Sequence, residues 1–322
     1  MKRFLSALCA LLALVCAATG ARAQQPPVPP LIRIVVPFAP GASTDVIARL
    51  IANQLGPRLG TNVIVENRAG GSGMIGSLAV VKGPKDGSML LFTSVSMLST
   101  AATTRNVPFD VTRDLVPIAV PGTGPLVIAV SSKTDIHTPA DLVAAARARP
   151  GQLTHGTGGV GTIAHLAAEL LNDAANIQLT HVPYKGAAPA VADTAGGTID
   201  MMLAAKTTFA AQVTAGRMRL VAVTSEQPSP AFPGLPTMAS VAPGYAVELW
   251  TALFAPAGTP PALVQRLNRE VNEIAHSREM VELMQSDGAT PLNVTPDEAA
   301  QRVRDAYATW KRLAAAKNIV LE

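Results

Sequence analysis

The sequence predicts an α/β protein of two lobes, and three observations lead there. Its 322 residues suit two domains at roughly 100–200 residues each. From Leu31 onward short apolar runs alternate with helical patterns, the arrangement of parallel sheets flanked by helices. With 48% hydrophobic and 15% charged residues the chain has ample apolar material for packed cores, which excludes disordered, collagenous and coiled-coil classes. No repeat at a spacing of roughly 20–50 residues points to a solenoid or propeller.

The elements follow in chain order. Lys2 and Arg3 precede an uncharged run from Phe4 to Ala18, then Thr19, Gly20 and Ala21-Arg22-Ala23. A positive start, an apolar stretch shorter than the roughly 20 residues of a membrane span, and small residues at a cut point read as a signal peptide over residues 1–23, cleaved after Ala23. Gln24–Pro30, rich in proline, is an extended leader. Strands are expected at Ile32–Phe38, Val63–Glu66, Met89–Ser94, Val127–Ser131, Leu153–Gly156, Leu179–Pro183, Asp200–Ala204, Leu220–Thr224 and Trp250–Ala255. Helices are expected from Ser43-Thr44-Asp45, Thr138-Pro139-Ala140-Asp141, Thr259-Pro260-Pro261 and Thr295-Pro296-Asp297-Glu298. Hydroxyl caps, early prolines and carboxylates there suit the free N–H groups of a first helical turn.

The formal charge of +4 belongs to the export signal. Removing residues 1–23 takes away Lys2, Arg3 and Arg22 and no acid, leaving 23 bases against 22 acids, so no nucleic-acid footprint remains. Aromatic residues, at 4%, are too scarce for a ligand held by stacking. Cys9 and Cys16 both lie in the signal, so the mature chain has no disulfide, thiolate zinc site or cysteine nucleophile. A periplasmic location fits, and no cofactor is expected.

Three glycine-containing turns join a strand's end to a helix's start. In Pro37-Phe38-Ala39-Pro40-Gly41-Ala42-Ser43-Thr44-Asp45, Gly41 permits a sharp turn, and the N–H groups of Ala42 to Thr44 would face outward with a helix dipole behind them. That is a site for an anion such as a carboxylate. Gly156-Thr157-Gly158-Gly159-Val160-Gly161-Thr162 offers the same chemistry with two hydroxyls, and Gly70-Gly71-Ser72-Gly73-Met74-Ile75-Gly76 also precedes a helix. None ends in the Gly-Lys-Ser/Thr of a phosphate loop or carries the full dinucleotide fingerprint. A tight connection that binds nothing is the competing reading of any one of them.

Catalytic readings are weaker. His155, His165 and His181 lack the paired spacing of a zinc site, and His165, three residues after Thr162, is placed to support the loop. Ser43 and Asp45 are close, but Gly-x-Ser-x-Gly is missing, which leaves a secreted serine hydrolase as a minor alternative.

Several segments resemble one family. They are Val36-Pro37-Phe38-Ala39-Pro40-Gly41-Ala42-Ser43-Thr44-Asp45-Val46-Ile47-Ala48-Arg49, Val65-Glu66-Asn67-Arg68, Asp86-Gly87, Gly161-Thr162-x-x-His165, His181-Val182-Pro183-Tyr184-Lys185-Gly186-Ala187-Ala188-Pro189-Ala190, Leu235-Pro236-Thr237 and Ala255-Pro256-Ala257-Gly258-Thr259-Pro260. In this order they look like the Bug family, the extracytoplasmic solute receptors of tripartite tricarboxylate transporters. The resemblance implies a type II periplasmic-binding-protein fold, with two α/β lobes joined by crossing strands and a small carboxylate in the cleft. Lobe 1 would comprise residues 24–124 and 245–322, and lobe 2 residues 125–244. Ligand contacts carry over to Gly41, Ala42, Ser43, Thr44 and Asp45 in one lobe and to Gly161 and Thr162 in the other, and extend to Ser94 and Tyr184. The implied partners are a small carboxylate and the membrane permease subunits, with the receptor itself a monomer. A receptor presenting its ligand to a signalling partner would have the same cleft.

The chain departs from the family's pattern at Ala42, where a second glycine is usual, at Gly71-Ser72, and at Lys85 and Met89. Lys206, just after the Asp200–Ala204 strand, is also unexpected, and is read as charge for a second carboxylate, against the plainer reading of a solvated lysine.

Overall fold

The computed structural model describes residues 27–38, 40–41, 43–184 and 186–321. The export signal, both cysteines and Ala42 lie outside the described residues. Two mixed sheets, each flanked by helices, form two α/β lobes.

The first sheet has the order β11-β4-β10-β3-β1-β2. Its members are β1 (Leu31–Val36), β2 (Asn62–Asn67), β3 (Met89–Ser94), β4 (Leu115–Pro125), β10 (Glu248–Pro256) and β11 (Thr290–Pro291). Around it lie α1 (Ser43–Leu59), α2 (Met74–Val81), α3 (Ser96–Thr103), α8 (Pro261–Ala275), α9 (Arg278–Ser286) and α10 (Pro296–Ala316). The second sheet, β7-β6-β8-β5-β9, contains β5 (Val127–Ser131), β6 (Thr154–Thr157), β7 (Thr180–Pro183), β8 (Met201–Ala204) and β9 (Met218–Val223). Its helices are α4 (Pro139–Ala148), α5 (Ile163–Ala175), α6 (Ala187–Gly196) and α7 (Lys206–Thr214).

The sheets are not parallel throughout, as the sequence pattern suggested. β1 pairs with β2 and β3 in parallel, whereas β10 runs antiparallel to β3 and β4, and β5 runs antiparallel to β8 and β9. The reversed strands are β10, which re-enters the first lobe, with the short β11, and β5, the first strand of the second lobe. Only Leu126 separates β4 from β5, and the return path enters β10 after Val247. Thr224 ties the two crossings together. Its buried hydroxyl accepts from the Leu126 N–H at 2.8 Å and donates to the Val247 carbonyl at 2.7 Å, while its carbonyl accepts from the Val247 N–H at 2.9 Å.

β4 is missing from the strand expectations because Pro117, Pro121, Pro125, Gly122 and Gly124 read as punctuation. Two features let it run beside β10. The β4–β10 ladder shifts register around Leu253, and the glycines allow close approach. A Cβ at Gly122 would lie 2.6 Å from the Met284 sulfur, and one at Gly124 would lie 2.8 Å from Ala289 Cα.

Strand alternation divides the core. Ile32, Ile34 and Val36 face α1 and α8, while Val35 on the opposite face joins a cluster that runs through Leu91, Ile128 and Leu203 into the second lobe. Truncating a wholly buried member such as Leu91 to alanine should cost about 2–5 kcal/mol. Capping boxes close α4, through Thr138 and Asp141, and α10, through Thr295 and Glu298. At α8 the cap differs from expectation: Thr259 donates to the Pro256 carbonyl, and Pro260 occupies the cap position. Among the described residues no helix is long and apolar enough to cross a membrane.

Candidate functional site

In the turn from β1 to α1, the side chain of Asp45 points back into the protein. It is only 2% exposed. Its Oδ2 accepts from the Gly41 N–H at 2.9 Å and from Arg49 Nε at 3.0 Å, and its Oδ1 accepts from Asn67 Nδ2 at 2.8 Å. Asn67 Nδ2 also donates to the Phe38 carbonyl, so both ends of the turn are held by one polar cluster. Burial pushes the Asp45 carboxyl up, but the bonds from Arg49, Gly41 and Asn67 outweigh it and hold the group below the ordinary carboxylate value. Asp45 thus shapes the turn, and the Gly41 N–H is bonded to it. Ser43 and Thr44 begin the helix, where N–H groups have no intrahelical acceptor.

The second turn joins β6 to α5 and is held by neutral groups. The Thr162 hydroxyl caps α5 by accepting from the His165 N–H at 3.4 Å and donates to the Gly159 carbonyl at 2.8 Å. Gly161 donates its N–H to His165 Nδ1 at 3.2 Å, which fixes Nδ1 as the unprotonated ring nitrogen. Thr157, at the other end of the turn, bonds His181 Nε2 at 2.6 Å. Gly161 has φ +76°, and a Cβ there would lie 2.5 Å from Thr103 Oγ1, so this position needs glycine for both conformation and space.

His155, His181 and His165 form a stack beneath this turn. Ring centroids are 4.9 Å apart for His155 and His181 and 3.8 Å for His181 and His165. His155 is wholly buried, with no partner for either ring nitrogen among the described residues. Burial, the first cause for all three, and the neighbouring rings for His155 and His181, lower these imidazoles from 6.5 to about 3 for His155 and about 4 for His165 and His181. They are neutral at physiological pH. Among the described residues no group of three His, Cys, Asp or Glu side chains is arranged to hold a metal ion.

The remaining sequence candidates sit apart. Ser94, at the end of β3 and 8% exposed, accepts from the Ser96 N–H at 3.4 Å. The Tyr184 hydroxyl donates to Asp193 at 2.6 Å, and burial together with that carboxylate raises it to about 12. Lys206 opens α7 with its ammonium 5.5 Å from the centroid of the Phe232 ring. Ser43 instead meets a residue that sequence reasoning passed over. Its hydroxyl donates to Asp287 Oδ2 at 3.1 Å, and Asp287 Oδ1 accepts from the N–H of Thr207 at 3.2 Å and from the Thr207 hydroxyl. Asp287 belongs to the first lobe and Thr207 to the second, so one carboxylate bridges the starts of α1 and α7. Ser-Asp-Gly after a helix reads only as a stop signal, and nothing local marks this role.

With the Ser43 hydroxyl on Asp287 and His165 and His181 bonded within the second turn, no serine–base pair is assembled among the described residues. What the site offers is two glycine-containing turns at helix starts, with hydroxyls nearby.

Comparison with known proteins agrees with this geometry. The profile of the tripartite tricarboxylate transporter family receptor, TctC, matches residues 47–319. A protein from the tcbD-tcbE intergenic region of Pseudomonas sp. (strain P51) is 38% identical over 281 residues, covering 87% of this chain and 84% of that one. Protein BugT of Bordetella pertussis is 36% identical over 282 residues, covering 87% and 86%. Among solved structures, R. palustris Rpa4515 with adipate superposes with a TM-score of 0.79 at 32% identity, over 90% of this chain and 98% of that one. The periplasmic binding protein BugD does so with a TM-score of 0.76 at 28% identity, over 90% and 98%.

Proposed function

The chain belongs to the family of tripartite tricarboxylate transporter receptors, and on that premise we propose that it captures a small carboxylate between its lobes and delivers it to membrane permease subunits. The family is one of solute-binding receptors rather than enzymes. The observation that carries the reading is the turn at Gly41–Thr44. Its glycine N–H is tied back to Asp45, while Ser43 and Thr44 sit at the positive end of α1. Gly161 and Thr162 supply the corresponding turn on the second lobe. Rpa4515, a relative 32% identical, is described with adipate, which favours a carboxylate here.

The connections support binding by lobe closure. Residues 24–124 with 245–322 and residues 125–244 would move as two bodies about the Leu126, Thr224 and Val247 crossing, and closure would create the surface that a permease reads. The receptor is exported as a monomer, with the signal removed after Ala23.

The test is a thermal-shift screen of residues 24–322 against small carboxylic acids, with the matching neutral amides as controls. A ligand at a hundred times its dissociation constant stabilises the folded state by about 2.7 kcal/mol. Acids should raise the melting temperature and amides should not. Protein shown to be ligand-free that responds to no acid would refute the carboxylate reading.

A further inference from the structure

Behind the start of α1 lies a small pocket, with a solvent-accessible volume of about 50 Å³, to which Ser43 contributes. Ile47, Leu249, Trp250, Leu283 and Met284 form its walls, and Gly122 and Gly124 leave the β4 side bare of side chains. Ala205 of the second lobe also lines it, so the pocket spans the two lobes and closure would enclose its contents.

Its electrostatics are one-sided. Among the described residues lining it, Asp287 is the one that is ionisable. The donors that reach this carboxylate are neutral, the Ser43 hydroxyl and the N–H and hydroxyl of Thr207. No lysine or arginine forms an ion pair with Asp287 among the described residues, and the ammonium of Lys206, next to Thr207 in the chain, rests over Phe232. A carboxylate bound at the start of α1 therefore has a fixed negative charge close by and an apolar chamber beyond it. A second carboxylate on the same ligand would meet either Asp287 or an apolar wall with no donor charge, and both disfavour it.

We propose that the ligand is a monocarboxylate with an apolar body, its carboxylate on the α1 turn and its body in the pocket walled by Leu249, Trp250 and Met284, and that Asp287 selects against a second carboxylate. This inference rests on the carboxylate reading of the α1 turn. Each methylene buried in the pocket should strengthen binding by about fourfold, so affinity should climb from acetate through butyrate to hexanoate.

The experiment is calorimetric titration of residues 24–322 with hexanoate, adipate and norleucine, repeated with benzoate and terephthalate. Hexanoate should bind at least tenfold more tightly than adipate, and benzoate more tightly than terephthalate. In Asp287→Asn the diacids should gain and the gap narrow several-fold. A second variant, Ala205→Phe, fills the pocket from the side of the second lobe and should weaken hexanoate several-fold more than acetate. Its melting temperature reports whether it folds. Tighter binding of adipate than hexanoate by the unaltered protein, or a ratio that Asp287→Asn leaves unmoved, overturns the inference. So does norleucine binding more tightly than hexanoate in a manner lost in Asp287→Asn, which would make Asp287 a reader of ammonium groups. If none of these acids binds, the carboxylate reading has itself failed, and the inference falls with it.

Discussion

The two glycine-containing turns do the same geometric job with opposite chemistry. The β1–α1 turn is braced by a buried charge, Asp45, compensated by Arg49 and Asn67. The β6–α5 turn is braced by a stack of uncharged imidazoles, with His165 on Gly161 and His181 on Thr157. An ionised brace works while it stays ionised and a neutral one while it stays neutral, so acid should undo the two turns in different pH ranges.

The largest expected effect is on the histidine side. The unfolded chain takes up protons on its histidines near 6.5, whereas the folded stack resists them down to about 4. Stability is therefore full above pH 6.5 and falls as pH drops toward 4, by about 3 kcal/mol for His165 alone at 1.36 kcal/mol per pH unit. Glu169, 3.9 Å from His165 Nε2, favours the charged ring, and Lys317 beside Glu169 opposes that help. Urea unfolding from pH 7 to pH 4 should show this slope, reduced in His165→Asn. A flat profile would mean that the stack is not neutral.

Next in size, Asp45→Asn should cost about 2–3 kcal/mol, because Arg49 and Gly41 lose a charged acceptor at a nearly inaccessible position. The Asp45 contribution is present above the unfolded carboxylate value and is lost only below it, as pH falls through the lowered folded value. The variant should accordingly unfold at lower urea concentration at pH 7 and show less further loss below pH 4 than the parent. Equal stability of the two proteins at pH 7 would show that the brace is unimportant.

The smallest effect is expected at Lys206. Its ammonium lies over Phe232 at the rim of the second lobe, so Lys206→Ala should change stability by no more than about 1 kcal/mol and leave carboxylate affinity unchanged. A tenfold loss of affinity in titrations would instead support its reading as a partner for a second carboxylate and sharpen the contrast with Asp287.

What could be read along the chain was what depends on neighbours in sequence. Thr138 and Thr295 cap the helices they precede because a cap and its N3 carboxylate are three residues apart. β3 was legible because an apolar run buried on both faces leaves a continuous signal, and β1, interrupted only by Arg33, nearly shares it. β4 was not, since its prolines and glycines are tolerated only through the bulged β10 ladder on one side and the close packing of Met284 and Ala289 on the other.

The sequence by itself determined that this is an α/β protein of two-domain length with glycine-containing turns at helix starts, because periodicity, caps and turn residues act over a few positions. Only the tertiary structure decided which groups face one another. His155 and His181 stack because β6 and β7 pair in register, and His165 joins them from the first turn of α5. Asp287 reaches Ser43 and Thr207 across 244 and 80 residues of chain. Such meetings are set by sheet order and lobe packing, which bring distant segments within the few ångströms over which hydrogen bonds act.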